Sequence, residues 1–314
     1  MDLSSSYLGL RLASPVVPGA SPLTGDLDSI RRLEDAGAPA VVLPSLFEEQ
    51  LAAEALGHEG ALTDPDRYLR QVRAAKDAVS IPVIASLNGT TDEGWMSFAR
   101  LVEQAGADAL ELNLFHISTN LWASGATAEA QILESVAAAR RSISIPAAVK
   151  IFPYFSSIAS LARQLEEVGA NGLVLFNRLY QPDIELEGGE PSADPRLSSP
   201  SELVSRLHWI ALLAGRVEVS LAASGGVHTA ADVLRCVLAG ADVTQMVSAL
   251  ILHGPGHLRT VTDGIASWLE AHGHESLDDV RGLMSLERRA DPRAFPRPGY
   301  LQVLQGWKTA ERRG

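Results

Sequence analysis

Lys150 is one of only three lysines in the chain, against 23 arginines, and it follows Ala147-Ala148-Val149 in a run apolar enough to be a buried strand. A charged amine in such a place is costly unless it is paired or used, so Lys150 is the first candidate for chemistry. Three of the five asparagines, Asn88, Asn113 and Asn177, stand at the ends of similar apolar runs. One asparagine there would read as a turn former; three beside a scarce lysine read as a polar site. Further along come Ser224-Gly225-Gly226 and then Ser248-Ala249. Small residues between a strand and a helix expose backbone N–H groups, and the helix N-terminus adds its dipole, so these turns form a candidate phosphate cradle. A tight strand-to-helix turn alone would require the same glycines. Ala20-Ser21 and Gly89 occupy strand ends of the same kind.

An ammonium, a set of carboxamides and a phosphate cradle together suit a phosphorylated planar cofactor. FMN is the expectation: a cation near N1 and C2=O stabilises the reduced, anionic flavin, and amides donate to and accept from the ring edge. Two other readings stay open. Lys150 can be the Schiff-base nucleophile of a barrel aldolase, or the chain can be a non-catalytic, FMN-carrying subunit of a redox complex.

The elements that must position these residues are announced by four phrases: AGAPAVVL at 36–43, AGADALEL at 105–112, VGANGLVL at 168–175 and AGADVTQM at 239–246. Each reads as a helix ending at glycine, a tight connection and a buried strand. Gly37, Gly106, Gly169 and Gly240 lie 69, 63 and 71 residues apart, room for two strand–helix units each. Between them come SPVVPGAS at 14–21, SIPVIASL at 80–87, SIPAAVKI at 144–151 and RVEVSLAA at 216–223. The expected strands are 16–20, 40–43, 83–87, 109–114, 147–151, 172–176, 217–222 and 242–247, with helices near 26–36, 65–79, 92–105, 127–142, 156–168, 201–214, 229–239 and 255–271. Their apolar runs are continuous, as in a parallel sheet buried on both faces. The expected architecture is an α/β fold, a TIM (β/α)₈ barrel, as one domain over 1–314, a fold that takes about 250 residues and tolerates insertions. PGASPLTG after the first strand is a poor match to the glycine-rich turn of an open doubly wound sheet. Residues 1–13 should form an antiparallel leader under the barrel floor. Residues 178–200, rich in Pro, Gly, Ser and Asp, read as a loop insertion, and 275–314 as a partly helical tail.

Composition narrows the partners. A net charge of −12 argues against nucleic acid. One cysteine, Cys236, excludes an internal disulfide and cannot alone hold a cluster or zinc. No apolar run approaches a membrane span of about 18 residues, and the first residues lack a basic start and an apolar core, so neither membrane nor export is expected and the cytoplasm is the expected compartment. No metal site is expected: His253, His257, His272 and His274 show no convincing ligand spacing. His228 sits beside the candidate cradle and reads as a surface position; Arg178, Tyr180 and Asp183 read as holding the loop after Asn177.

The same residues resemble the dihydroorotate dehydrogenase family of FMN barrels. ELNL at 111–114 is similar to the segment whose asparagine meets flavin and substrate; AVKIFPYF at 148–155 resembles the strand carrying the flavin lysine; VLFN at 174–177 resembles the segment whose asparagine binds orotate; and SGGVHTAADVLRCVLAGADVTQMVSAL at 224–250 resembles the phosphate-binding block. The likeness covers about residues 5–275. It implies FMN held by Ala20, Ser21, Asn88, Asn113, Lys150, Asn177, Ser224, Gly225, Gly226, Ser248 and Ala249, substrate contacts from Asn113, Asn177 and Ser118, and a place in pyrimidine biosynthesis. It also implies a homodimer, with a redox partner protein in the NAD-linked class. His116 stands where the family places a Cys or Ser base, which makes His116 and Lys150 the catalytic candidates. The family's lysine after the second strand is replaced here by Leu43-Pro44-Ser45, and residues 44–81 contain no asparagine. These departures fall on the substrate side, so the resemblance implies an oxidoreductase of a C–C bond next to a carbonyl without fixing dihydroorotate as its substrate.

Overall fold

The computed structural model describes residues 1–47, 65–89, 92–114, 120–178, 183–184, 191–192 and 196–288. A hairpin of β1 (Ser5–Tyr7) and β2 (Leu10–Leu12) comes first. The chain then alternates: β3 (Val16–Pro18), α1 (Leu27–Asp35), β4 (Val41–Phe47), α2 (Pro65–Ala78), β5 (Val83–Asn88), α3 (Asp92–Gln104), β6 (Ala109–Asn113), α4 (Gly125–Ser142), β7 (Ala147–Ile151), α5 (Ile158–Glu167) and β8 (Gly172–Leu175). A small antiparallel ladder, β9 (Asp183–Ile184) with β10 (Pro191–Ser192), lies within the expected insertion. The sequence closes with α6 (Leu203–Leu213), β11 (Ser220–Ser224), α7 (Ala230–Ala239), β12 (Val243–Met246), α8 (Ser248–His253) and α9 (His257–Ala271). Eight parallel strands run in the order β3-β12-β11-β8-β7-β6-β5-β4, and β3 meets β4 to complete the ring. This is the expected (β/α)₈ barrel.

The four repeated phrases have one structural meaning. Gly37, Gly106, Gly169 and Gly240 all take left-handed φ, from +95 to +115°. The N–H of the following alanine reaches back to Leu33, Val102, Leu165 or Cys236, closing the helix end in a Schellman pattern each time. Two residues past the glycine, Asp108, Asn171 and Asp242 each accept an N–H at the start of a neighbouring strand, from Val83, Ala147 and Leu221. Three residues before it, Glu34, Glu103 and Glu166 capture the backbone N–H groups of Ser80, Ser144 and Glu218. Each phrase is thus a helix stop, and in three of the four the residue two past the glycine also braces the preceding strand.

Alternation along the strands builds the interior in layers. Val17, Val42, Ile84, Ala109, Ala148, Val174, Ala222 and Val243, one from each barrel strand, share a buried cluster with Tyr7, Leu8 and Leu12 of the hairpin. The alanines leave the width that Tyr7 and Leu12 fill, and a Cβ at Gly172 would lie 2.6 Å from Leu8 Cδ2, so that side chain would have to shift. The hairpin is therefore the floor plug the sequence announced. A second, larger core fills the space between barrel and helices.

Three boundaries differ from expectation. β4 continues past Pro44 to Phe47, with a register shift between Val42 and Ser45. Proline cannot donate to a ladder, and a bulge absorbs it. The seventh barrel strand is 220–224 rather than 217–222: Gly215 turns the chain at φ +78°, and Glu218 N–H is taken by Glu166 before pairing with β8 begins. The tail up to residue 288 forms turns rather than helix, because its N–H groups at Gly282, Met284 and Leu286 go to Val237, Leu238 and Ala211. Among the described residues no helix is long and apolar enough to cross a membrane.

Candidate active site

Two residues above the apolar floor layer, the same inward alternation brings up Ser86, Glu111, Lys150 and Gln245 instead of the usual branched aliphatics. Glu111 is 1% exposed, Gln245 2% and Lys150 7%. Polar groups this deep must satisfy one another. Lys150 Nζ donates to Glu111 Oε1 at 3.2 Å and to Gln245 Oε1 at 3.0 Å. Gln245 Nε2 closes the ring on the other Glu111 oxygen. An ammonium has three donors, so one Lys150 N–H is left over among the described residues. The scarce lysine is therefore a paired lysine. Glu111 and Gln245, which hold it, were readable only as same-face residues: one is two positions before Asn113, the other two after Val243.

A second chain of polar contacts lies beside it. Ser45 and Ser86 hydroxyls meet at 2.7 Å, Asn113 Nδ2 donates to Ser45 Oγ at 3.1 Å, and Asn177 Nδ2 donates to Asn113 Oδ1. The β4 bulge brings Ser45 here, and it also frees the backbone of Ser86. The Tyr68 hydroxyl from α2 satisfies both of those groups, accepting from Ser86 N–H at 2.8 Å and donating to its carbonyl at 2.9 Å. Burial pushes the Tyr68 phenol well above its ordinary range, so it remains a donor. Asn88, 6% exposed, continues the inward set, and its Nδ2 has no hydrogen-bond partner among the described residues. Such an orphan suggests a ligand.

Gly225 and Gly226 take φ of +88° and +81°. A Cβ on Gly226 would lie 2.6 Å from Leu203 N, and one on Gly225 would lie 3.0 Å from the Arg206 guanidinium. Ser248 does not present a free hydroxyl: its Oγ meets Ser198 Oγ at 2.8 Å and accepts Ser198 N–H at 2.9 Å, while Gly226 N–H donates to Ser198 Oγ at 3.2 Å. Ser198 is thus a member that the sequence hid, 50 residues from Ser248 at the end of the insertion. His228 is not a mere surface residue, since its Nε2 lies 2.8 Å from the Ser198 carbonyl. Arg206 supports the floor of this corner, donating to the Ser224 carbonyl at 3.0 Å and lying over Phe176. Burial lowers its pKa and Glu202 counters that.

The other candidates are placed as follows. Ser21 opens a short 3₁₀ turn, with Thr24 Oγ1 donating to its carbonyl, and Ala20 packs against the barrel's inner cluster. Ala249 is fully buried in the outer core. Gly89 follows Asn88 and is buried. Arg178 lies 3.7 Å from Glu202, the loop-holding contact expected of it. His116, Ser118 and Tyr180 lie outside the described residues. Among the described residues no cluster of three His, Cys, Asp or Glu is arranged for a metal. Cys236 is fully buried, and that burial raises its thiol pKa away from thiolate chemistry.

The profile described as dihydroorotate dehydrogenase matches residues 51–269. The chain belongs to the dihydroorotate dehydrogenase family. It is similar, at 28% identity over 302 residues, to an Aeropyrum pernix protein provisionally named dihydroorotate dehydrogenase A (fumarate), with 90% of this chain and 97% of that one covered. A Pyrococcus abyssi protein named as the catalytic subunit of dihydroorotate dehydrogenase B (NAD(+)) is 27% identical, over 90% of this chain and 98% of its own. A Pelobacter propionicus protein of the same name is 30% identical over 213 residues, 66% of this chain and 69% of its own. All the site residues discussed here from Glu111 to Ser248 fall within the span matched by the family profile.

Proposed function

We propose that this chain is an FMN-dependent oxidoreductase that adds or removes hydrogen across a C–C bond next to a carbonyl, as a dihydroorotate dehydrogenase-like enzyme. The observation that carries this reading is the Lys150 ammonium, held by Glu111 and Gln245 with one N–H to spare, beside the orphaned amide of Asn88. The residues fit the cofactor on three counts. Asn88 and Lys150 retain donors for a ring edge rich in acceptors, Gly225 and Gly226 turn the chain at positive φ against Leu203 and Arg206, and Ser198 with Ser248 fixes that turn. Bound there, FMN would supply a hydride-accepting centre.

The chain's own residues would do the rest. Lys150 would anchor the polar edge of the ring. Asn113 and Asn177, tied to each other and to Ser45, would orient a substrate carbonyl or ring amide. His116, in the loop after β6, would exchange the substrate proton, a task suited to an imidazole that titrates near neutrality. The aldolase reading is weaker, because a Schiff-base lysine must be available as a free amine and Lys150 is ion-paired with a buried carboxylate.

The test is direct. The purified protein should be yellow and release FMN on denaturation, and anaerobic addition of substrate should bleach it. His116→Ala should keep the colour and lose turnover; full turnover would remove His116 from the mechanism. A colourless protein trapped by borohydride with a carbonyl substrate would favour the aldolase.

A further inference from the structure

Arg206, on α6, is a buried guanidinium packed directly behind the Gly225–Gly226 turn. Burying such a charge is costly, and the burial lowers its pKa. Its hydrogen bonds account for its orientation. Nε donates to the Ser224 carbonyl at 3.0 Å, and Nη1 donates to the Glu202 carbonyl at 2.9 Å and to the Ser205 hydroxyl at 3.1 Å. They do not account for its charge, because each of these acceptors is neutral and would take a neutral donor as well. The remaining nitrogen, Nη2, lies against the turn, 3.0 Å from where a Cβ on Gly225 would sit.

Among the described residues the carboxylate that faces Arg206 is shared. Glu202 Oε2 lies 3.6 Å from Arg206 Nη2 and 3.7 Å from Arg178 Nε. Two guanidiniums against one carboxylate leave a surplus positive charge. The Arg178 side chain is 43% exposed and screened by water, whereas that of Arg206 is 8% exposed and is screened much less. Asp232, the acidic residue that follows the turn on α7, is spent on the N–H groups of His228 and Thr229 and on Arg235. The surplus therefore sits behind two glycines that carry no side chain to cover it.

Resting on the flavoenzyme reading above, we propose that Arg206 is a positioning residue for the phosphate of the cofactor, supplying counter-charge through the Gly225–Gly226 backbone without touching it, and that Glu202 limits how much of that charge is felt. A phosphate monoester is close to a dianion at neutral pH, and a buried cation one turn away acts on it through protein rather than through water. Riboflavin has the same ring without the phosphate and gains nothing from Arg206.

The experiment measures binding of FMN and of riboflavin to the whole chain stripped of flavin, read as the change in flavin fluorescence. In Glu202→Gln the amide oxygen can still accept the Ser199 N–H that Glu202 Oε1 takes at 3.0 Å, so the charge is the main loss. FMN should bind this variant at least about threefold more tightly, with riboflavin unmoved. Arg206→Met should bind FMN at least about tenfold more weakly and keep riboflavin within about threefold of wild type. A purely structural role would move both flavins together and would not tighten FMN in either variant. Unchanged or weaker FMN binding by Glu202→Gln overturns the proposal, as does an equal loss of both flavins in Arg206→Met. Glu202 is partly exposed, so its variant decides the matter alone if Arg206→Met does not fold. A wild-type chain that binds neither flavin overturns the underlying reading instead.

Discussion

Lys150 and Glu111 stand on adjacent strands of the barrel wall, offset by two residues in register, and meet at 3.2 Å where both are almost wholly excluded from water. Breaking such a pair leaves a buried charge without its counterpart, which costs about 3–5 kcal/mol, whereas replacing both partners with neutral groups of similar shape is often close to neutral. Lys150→Met and Glu111→Gln should therefore each lower stability strongly in the cofactor-free protein. The double variant should recover much of the loss. Urea unfolding of the four proteins closes the cycle, and additive losses would mean the two side chains are not coupled.

The cradle makes a separate prediction about ligand discrimination. Gly226 combines a left-handed φ with a Leu203 backbone nitrogen 2.6 Å from where a Cβ would sit. Gly226→Ala must shift the turn that Ser198 and Ser248 hold, at a strain of about 1–3 kcal/mol. If that turn grips a phosphate, FMN affinity should fall at least about tenfold, while affinity for riboflavin, which lacks the phosphate, should hardly change. An equal loss for both ligands would place the phosphate elsewhere.

How much of this was legible beforehand follows from where each signal lies. The glycine stops and strand runs were local, so all eight strands and the plug over the floor were found from sequence. Lys150, Asn88, Asn113 and Asn177 stand out as candidates because a scarce or polar residue at the end of an apolar run is conspicuous. Glu111 and Gln245 escaped because each looks ordinary in its own strand, and their meaning appears only when the barrel closes β6 and β7 toward β12. Ser45 and Ser198 escaped for a different reason. Pro44 reads as a strand terminator until a bulge absorbs it, and Ser198 belongs to the cradle only through a loop whose path no local pattern dictates.

Tyr68 tests the bulge itself. Its hydroxyl answers both the N–H and the carbonyl of Ser86, groups that β4 leaves unpaired where its register shifts. Tyr68→Phe keeps the buried ring and removes only the oxygen. A buried backbone group without a partner costs about 1–3 kcal/mol, so this one-atom change should destabilise by roughly that amount or more, unlike a typical exposed Tyr→Phe. The change should also loosen Ser45 and hence Asn113, raising KM more than it lowers kcat. An unaltered unfolding midpoint would show that water replaces the hydroxyl without loss.

Two of the repeated braces should respond to pH with opposite signs at neutrality. Hydrogen bonds from Ser144, first from its hydroxyl and then from its N–H, hold the Glu103 carboxyl below its usual range. A depressed pKa contributes stability above the unfolded value and loses it as pH falls through the folded one. Burial dominates at Asp242 and raises its pKa, against the opposing N–H of Leu221 and the charge of Arg281. A raised pKa favours the fold only in acid, and that contribution is gone once pH has risen through the folded value. Glu103→Gln should thus be less stable than wild type at pH 7. Asp242→Asn should be equal or more stable there, since Asn171 already serves the same bracing role toward Ala147 as a neutral amide. Both differences should shrink as pH falls through the carboxylate range, so the two variants approach wild type from opposite sides. Urea midpoints measured from pH 7 down into that range test this, and a gap between Asp242→Asn and wild type that widens in acid would show that the Arg281 contact, not burial, governs Asp242.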